Sequence, residues 1–176
     1  ITTFAEKVPN AAIDILAEAL CKTGDAYAIY DFAQKVPNAP IDILTEGICK
    51  TEDVERIYLY GWFVKGADSK KIAQALCRIG NAEYICNLMF ILGYKPTEEL
   101  IEALCKTKDA FYIFKVALSI EGAPIDKLTE AICETKDATY IMAFAKDIYG
   151  ADLKKNFLIY LLLTKIYFVE LLLSFS

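Results

Sequence analysis

The sequence predicts an all-α fold made of stacked two-helix repeats, and three observations lead there. A cysteine recurs every 28 residues, at Cys21, Cys49, Cys77, Cys105 and Cys133. Apolar residues flank it at spacings of three and four, the spacing that puts side chains on one face of a helix. Short polar residues, prolines and glycines recur at fixed offsets between the apolar stretches, where helices start and stop.

The repeat extends well beyond the cysteine. Its surroundings read "AEALCKTGDA", "TEGICKTEDV", "AQALCRIGNA", "IEALCKTKDA" and "TEAICETKDA". "KVPNAAIDIL" at 7–16 returns as "KVPNAPIDIL" at 35–44. Self-similarity of this kind is the mark of a repeat architecture.

Each unit divides into two amphipathic helices. In the first, the residues eight, five and one before the cysteine are apolar in most copies, as in Ile41, Leu44 and Ile48. In the second, Ile29, Ile57, Ile85, Ile113 and Ile141 recur, and Ala26, Ala33 and Val36 surround the first of them at helical spacing. Pro40 and Pro124 open the first helix, where a missing N–H is harmless. Asp25, Asp53, Asn81, Asp109 and Asp137 stand at the start of the second, where a side-chain acceptor caps a free amide for about 1 kcal/mol. Gly66, Gly122 and Gly150 close it, at a place that favours positive φ. Two helices of about eleven residues and two tight turns fill the period.

Over residues 4–155 this design resembles the α-solenoids of the tetratricopeptide and HEAT kind, although the period is shorter and their signature residues are missing. The resemblance implies a right-handed α-solenoid in which each hairpin is covered by its neighbours. The units expected are a partial one at 1–12 and full ones at about 13–40, 41–68, 69–96, 97–124 and 125–152. "FAEKVPNAA" at 4–12 matches "FAQKVPNAP" at 32–40, so the sequence is expected to open inside a second helix of a longer array. After Lys155 the register collapses into the apolar stretch 156–176. A helix capping the stack is expected there. A membrane anchor at 157–175 or a frame-shifted tail would also fit about 19 apolar-dominated residues. Lys165 and Glu170 oppose insertion, at about 2.5–3.5 kcal/mol each near the bilayer centre.

Composition narrows the function. The chain has 176 residues, is 56% hydrophobic and carries a net charge of −5, which repels nucleic acid. Histidine is absent, and with it the commonest general base and metal ligand. No nucleophile–base set, phosphate loop or metal constellation is recognisable, so no catalytic residue, metal or cofactor is expected. The marker cysteines read as small buried residues of a cytoplasmic, reducing compartment, too far apart across layers to pair. Cys86 falls in the apolar slot that holds Tyr30, Tyr58, Phe114 and Met142 in other copies. Glu18 with Lys22, Glu46 with Lys50 and Glu102 with Lys106 are spaced for ion pairs along the first helix. Asp14, Asp42, Glu98 and Asp126 extend an acidic, solvated face.

The candidate site comes from departures from the repeat. Six residues after the repeated isoleucine, a helix points away from its core, and there stand Lys35, Ser119 and Asp147 in three copies but Phe63 and Ile91 in two. Trp62 and Phe90 replace polar residues one position earlier, and Leu59 also points outward. Tyr84, Tyr112 and Tyr140 recur just before the isoleucine. Leu59, Trp62, Phe63, Phe90 and Ile91, flanked by those tyrosines, form a predicted surface for a protein or peptide partner. The competing roles are cover by another segment of the chain and, for the tyrosines, packing against the next repeat.

Overall fold

The computed structural model describes residues 1–7, 12–91 and 97–148, with the backbone alone at Glu6 and Ile91. These residues hold eleven helices and no strand. The stretch 156–176, expected as a cap or anchor, and Gly150 lie outside them. The helices are α1 (Thr2–Lys7), α2 (Ile13–Thr23), α3 (Ala26–Lys35), α4 (Ile41–Ile48), α5 (Val54–Phe63), α6 (Ser69–Ile79), α7 (Ala82–Ile91), α8 (Glu98–Thr107), α9 (Ala110–Ser119), α10 (Ile125–Glu134) and α11 (Ala138–Asp147). Even-numbered helices carry the marker cysteine and are the first helices of their repeats. Odd-numbered ones are the second helices.

The chain divides into two compact units, Ile1–Leu88 and Met89–Ser176. In the first, α2 touches its own partner α3 and the next first helix α4, and α4 likewise touches α5 and α6. The second helices meet in the same way, α1 with α3 and α3 with α5. Each second helix also touches the first helix that follows it, α3 with α4 and α5 with α6. In the second unit the same rule joins α8 to α9 and α10, α9 to α10 and α11, and α10 to α11.

The turn from first to second helix explains the recurrent "KT-D". The hydroxyls of Thr23, Thr51, Thr107 and Thr135 donate to the carbonyls of Leu20, Ile48, Leu104 and Ile132 at 2.7–2.8 Å. Each then accepts the amide of the aspartate two residues on. That aspartate accepts an amide from the first turn of the next helix, as at Ala28, Arg56, Tyr112 and Tyr140. Asn81 does the same for Tyr84. One threonine and one aspartate thus satisfy orphan groups at two helix ends. The residue between them is left-handed in all five copies: Gly24, Glu52, Gly80, Lys108 and Lys136, with φ from 56° to 75°. Three of those positions hold residues that pay a steric penalty there.

The turn from second to next first helix explains "VPNA". The amides of Ala39, Ala67 and Ala123 reach back to the carbonyls of Val36, Val64 and Ile120 at 3.2 Å, with positive φ at Asn38, Gly66 and Gly122. A proline followed by a residue of positive φ suits a type II turn. The glycines therefore sit in the turn two residues past the cap, and the extended Val36, Val64 and Ile120 are the caps themselves. The prolines also stand one residue earlier than expected: Pro40 and Pro124 are N-caps and make no side-chain bond.

The core is drawn from the repeated positions. Ile29, Ile57, Ile85, Ile113 and Ile141 are at most 2% exposed, as are Leu44, Ile72, Leu100 and Leu128 five before the cysteine. Each such side chain contributes about 1.5–3 kcal/mol. A further core position is three after the isoleucine, where Phe32, Tyr60, Leu88, Val116 and Phe144 are fully buried. It varies in size, and the position four before the cysteine varies against it. Alanine or threonine stands there opposite Phe32, Tyr60, Leu88 and Phe144, but Ile101 stands opposite Val116. Thr45 Oγ1 lies 3.4 Å from Tyr60 Oη, so these positions face each other within a hairpin. The exchange holds core volume roughly constant. Tyr60 Oη also donates to the Ile41 carbonyl, and burial pushes its phenol well above the ordinary range.

Cys21 and Cys49 occupy the seam between successive first helices. The marker cysteines are half-buried rather than buried, and only Cys86 is fully enclosed. Cys21 and Cys49 donate their thiols to the carbonyls of Ile43 and Lys71 on the next first helix, 3.6 Å away in both cases. All six cysteines are free thiols. The ion pairs also cross this seam instead of running along one helix. Glu46 bonds Lys71 at 2.7 Å, and Glu102 bonds Lys127 at 3.0 Å. Those contacts hold both carboxyls below the usual range, whereas Lys50 and Lys106 contribute least. Lys50 lies beyond the end of α4, out of helical register with Glu46.

At one point the seam admits no side chain. A Cβ on Gly47 would fall 2.1 Å from Cys21 Sγ and 2.7 Å from Cys21 Cβ, and rotation of the cysteine relieves only the first. Gly47→Ala should therefore destabilise the chain by about 1–3 kcal/mol in urea denaturation, reversing the ~1 kcal/mol gain that helix propensity alone predicts. Lys108→Gly should act in the opposite sense, raising stability by about 0.5–1 kcal/mol as left-handed strain is released. The same urea titration reads both.

Candidate interaction surface

The two helices of a repeat present different outer faces. First helices turn charge to solvent: Asp14, Asp42, Glu98 and Asp126 are exposed in their first turns, where a carboxylate also favours the helix dipole. Second helices expose apolar side chains. Tyr27, Trp62, Phe63, Phe111, Leu118 and Met142 are all exposed and all lie on α3, α5, α9 or α11. Ile15 is the one comparable residue on a first helix among the described residues.

In the first unit, α5 buries Ile57 and Tyr60 against its neighbours. That orientation leaves Trp62 43% and Phe63 57% exposed, while Leu59 is half-buried. The rings form a continuous run. Tyr58 stacks on Trp62 at 6.5 Å and meets Tyr84 of α7 edge-on at 5.2 Å, and Trp62 contacts Phe63 at 6.2 Å. Edge-to-face pairs of this kind contribute about 0.5–1.5 kcal/mol beyond area burial. Phe63 also lines a groove of 540 Å³ between the C-terminal ends of α3 and α5, with Ala33, Gln34, Lys35, Val64 and Lys65. The Tyr58 and Tyr84 phenols are pushed up, chiefly by burial. Tyr58 is raised further by Tyr84, and Tyr84 by Glu55, Glu83 and Asp53, so both stay neutral near pH 7.

In the second unit, Phe90 is half-buried with the Lys115 ammonium 5.2 Å from its ring centre. The same ammonium lies 5.7 Å from the Tyr112 ring, a cation–π arrangement at both. Tyr112 meets Phe111 edge-on at 4.9 Å. Tyr140 packs against Phe111 and Phe114, each at 6.1 Å, and Phe114 reaches the buried Phe144. The side chain of Ile91 lies outside the described residues.

The structure thus gathers Trp62, Phe63 and Tyr84 through Tyr58, and separately joins Phe90 to Tyr112 through Lys115 and Tyr112 to Tyr140 through Phe111. Tyr84 and Tyr140 are half-buried and packed on the preceding second helix. Their geometry is that of a joint between repeats. Tyr58 and Phe114 stand in the slot after the isoleucine, which the sequence marks only as apolar, and the repeat does not single out Phe111 or Lys115. The available signal was pairing: a ring after the isoleucine in one copy precedes a tyrosine before the isoleucine in the next, as in Tyr58 with Tyr84 and Phe114 with Tyr140.

Among the described residues no group of three or more Cys, Asp or Glu side chains is placed to hold a metal ion. Nor is any described helix long and apolar enough to cross a membrane. Comparison with protein-family models, with curated proteins and with solved structures returned no match.

Exposed and packed rings should respond differently to truncation. Tyr84→Ala is expected to lower stability by about 1–3 kcal/mol through the lost inter-repeat contact, and Trp62→Gln by no more than about 1 kcal/mol. Urea unfolding followed by circular dichroism measures both.

Proposed function

We propose that this protein is a non-enzymatic binding scaffold, an α-solenoid over residues 1–155 whose second helices present apolar side chains to a protein or peptide partner. The observation that carries this reading is the segregation of exposed apolar residues onto second helices while first helices expose charge. Solubility alone would distribute such residues singly over both helices. Within each unit, the contacts of first helices with the next first helix (α2 with α4, α4 with α6, α8 with α10) and of second helices with the next second helix (α1 with α3, α3 with α5, α9 with α11) support the solenoid arrangement. Six free thiols suit the reducing, cytoplasmic compartment that we assign to it.

Trp62 and Phe63 are the anchors in this proposal, with Leu59 and Tyr84 beside them. Tryptophan and phenylalanine supply large rigid contact area at small entropic loss, and the groove beside Phe63 offers a recess for a partner side chain. Phe90, Ile91, Tyr112 and Tyr140 belong to the proposed surface in the second unit, where Phe111 and Leu118 are its more exposed members. The repeated residues supply shape, and the departures from the repeat supply recognition.

Selection of the chain against a displayed random-peptide library tests this. Recovered peptides should lose about tenfold or more in affinity to Trp62→Gln combined with Phe63→Lys, a change of at least ~1.4 kcal/mol, while Ile15→Gln leaves binding unchanged. Unchanged binding to the double variant would remove the aromatic surface from the function.

A further inference from the structure

The third repeat departs from the others on its first helix as well as its second. Seven residues before the marker cysteine, Asp14, Asp42, Glu98 and Asp126 are acidic, but the third copy has Lys70. Three before it, Glu18, Glu46, Glu102 and Glu130 are acidic, but the third copy has Gln74. Helix α6 consequently carries Lys70, Lys71 and Arg78 with no acid in its span, whereas every other first helix holds at least two carboxylates. In a chain of net charge −5 this is a local reversal of sign.

The reversal coincides with a cavity. A groove of 300 Å³ between α4 and α6 is lined by Glu46, Cys49, Lys50, Lys71, Gln74, Ala75 and Arg78. Three cations face one carboxylate there. Glu46 is already engaged by Lys71 at 2.7 Å. Asp68 is turned to the amides of Lys70 and Lys71 at the start of α6. Burial pushes the Cys49 thiol up to about 11, so it adds no negative charge at neutral pH. Arg78 donates one N–H to the Cys49 carbonyl at 2.6 Å, which fixes a guanidinium with five donors at the groove wall. A planar guanidinium so held matches a carboxylate in a two-bond geometry.

We propose that the groove between α4 and α6 binds a carboxylate-bearing segment of an acidic peptide. Charge complementarity selects the occupant: cations line a recess whose surroundings are acidic, so an extended polyanion meets repulsion outside it while a short carboxylate cluster does not. The site is on first helices and stands independently of the aromatic surface on second helices.

Fluorescence anisotropy of the full chain with a short fluorescein-labelled glutamate-rich peptide tests the proposal. Binding is expected, with the glutamine counterpart inactive and affinity falling as salt rises to about 0.15 M, where the Debye length is about 8 Å. Gln74→Glu restores the residue that four other repeats carry, so the helix should fold, and it should weaken the peptide about tenfold. Lys50→Gln, an exposed change, should weaken it in the same direction, and Trp62→Gln should leave it unaltered. Absence of binding, equal binding of the glutamine peptide or indifference to both groove variants would overturn the proposal. So would loss of binding in Trp62→Gln, which places the peptide on the other surface, or tighter binding of an oligothymidylate, which assigns the groove to phosphate.

Discussion

Everything in this fold depends on burial at the seam between successive hairpins. A pair of helices about ten residues long has more apolar face than its two members can hide from each other, and the remainder is covered only by the neighbouring repeat. The side chains that meet there are small or precisely limited in reach: cysteine thiols that donate to the next helix's carbonyls, and a glycine where even a methyl group would collide with Cys21. Cysteine suits this position: it is small enough for close approach and apolar enough to be half-buried, and at Cys21 and Cys49 its weak donor finds a backbone acceptor across the seam.

Order along the chain is kept by two turns of different chemistry. The first uses a threonine and an aspartate to close one helix and open the next, with a left-handed residue between them. The second uses a proline, lysine or glutamate followed by asparagine or glycine, and ends the second helix on a buried or half-buried β-branched residue. Because each turn satisfies its own backbone groups, the direction of each helix is set locally and repeats without reference to distant residues. Variation is then free to accumulate where neither turn nor seam constrains it. That is where Trp62 and Phe63 stand.

The two outer faces differ in chemistry. Carboxylates in the first turns of the first helices favour the helix dipole, and farther along those helices Glu46 and Glu102 pair across the seam with Lys71 and Lys127. Aromatic rings on the second helices are of two kinds, and they stand on different helices. Tyr84 and Tyr140 bridge to the preceding repeat, whereas Trp62 and Phe63 are left to solvent. Deviation from the repeat is informative only after that distinction has been drawn.

The helices, their order, the aspartate caps and the isoleucine core were legible in the residues alone, because periodicity and capping are local and the repeat states them five times; the threonine of the first turn and the seats of the prolines and glycines were not. The outward position of Trp62 and Phe63 could also be read, since it follows from helical geometry about Ile57. Other features became visible only when helices were set side by side. They include the exchange of volume between Ile101 and Val116, the pairing of Glu46 with Lys71 instead of Lys50, the exclusion of a side chain at Gly47, and the role of Tyr58 as the link between Trp62 and Tyr84. Each depends on a distance between residues 15 to 26 positions apart in the chain. One-dimensional spacing fixes the face on which a residue lies, and only tertiary packing decides what lies opposite.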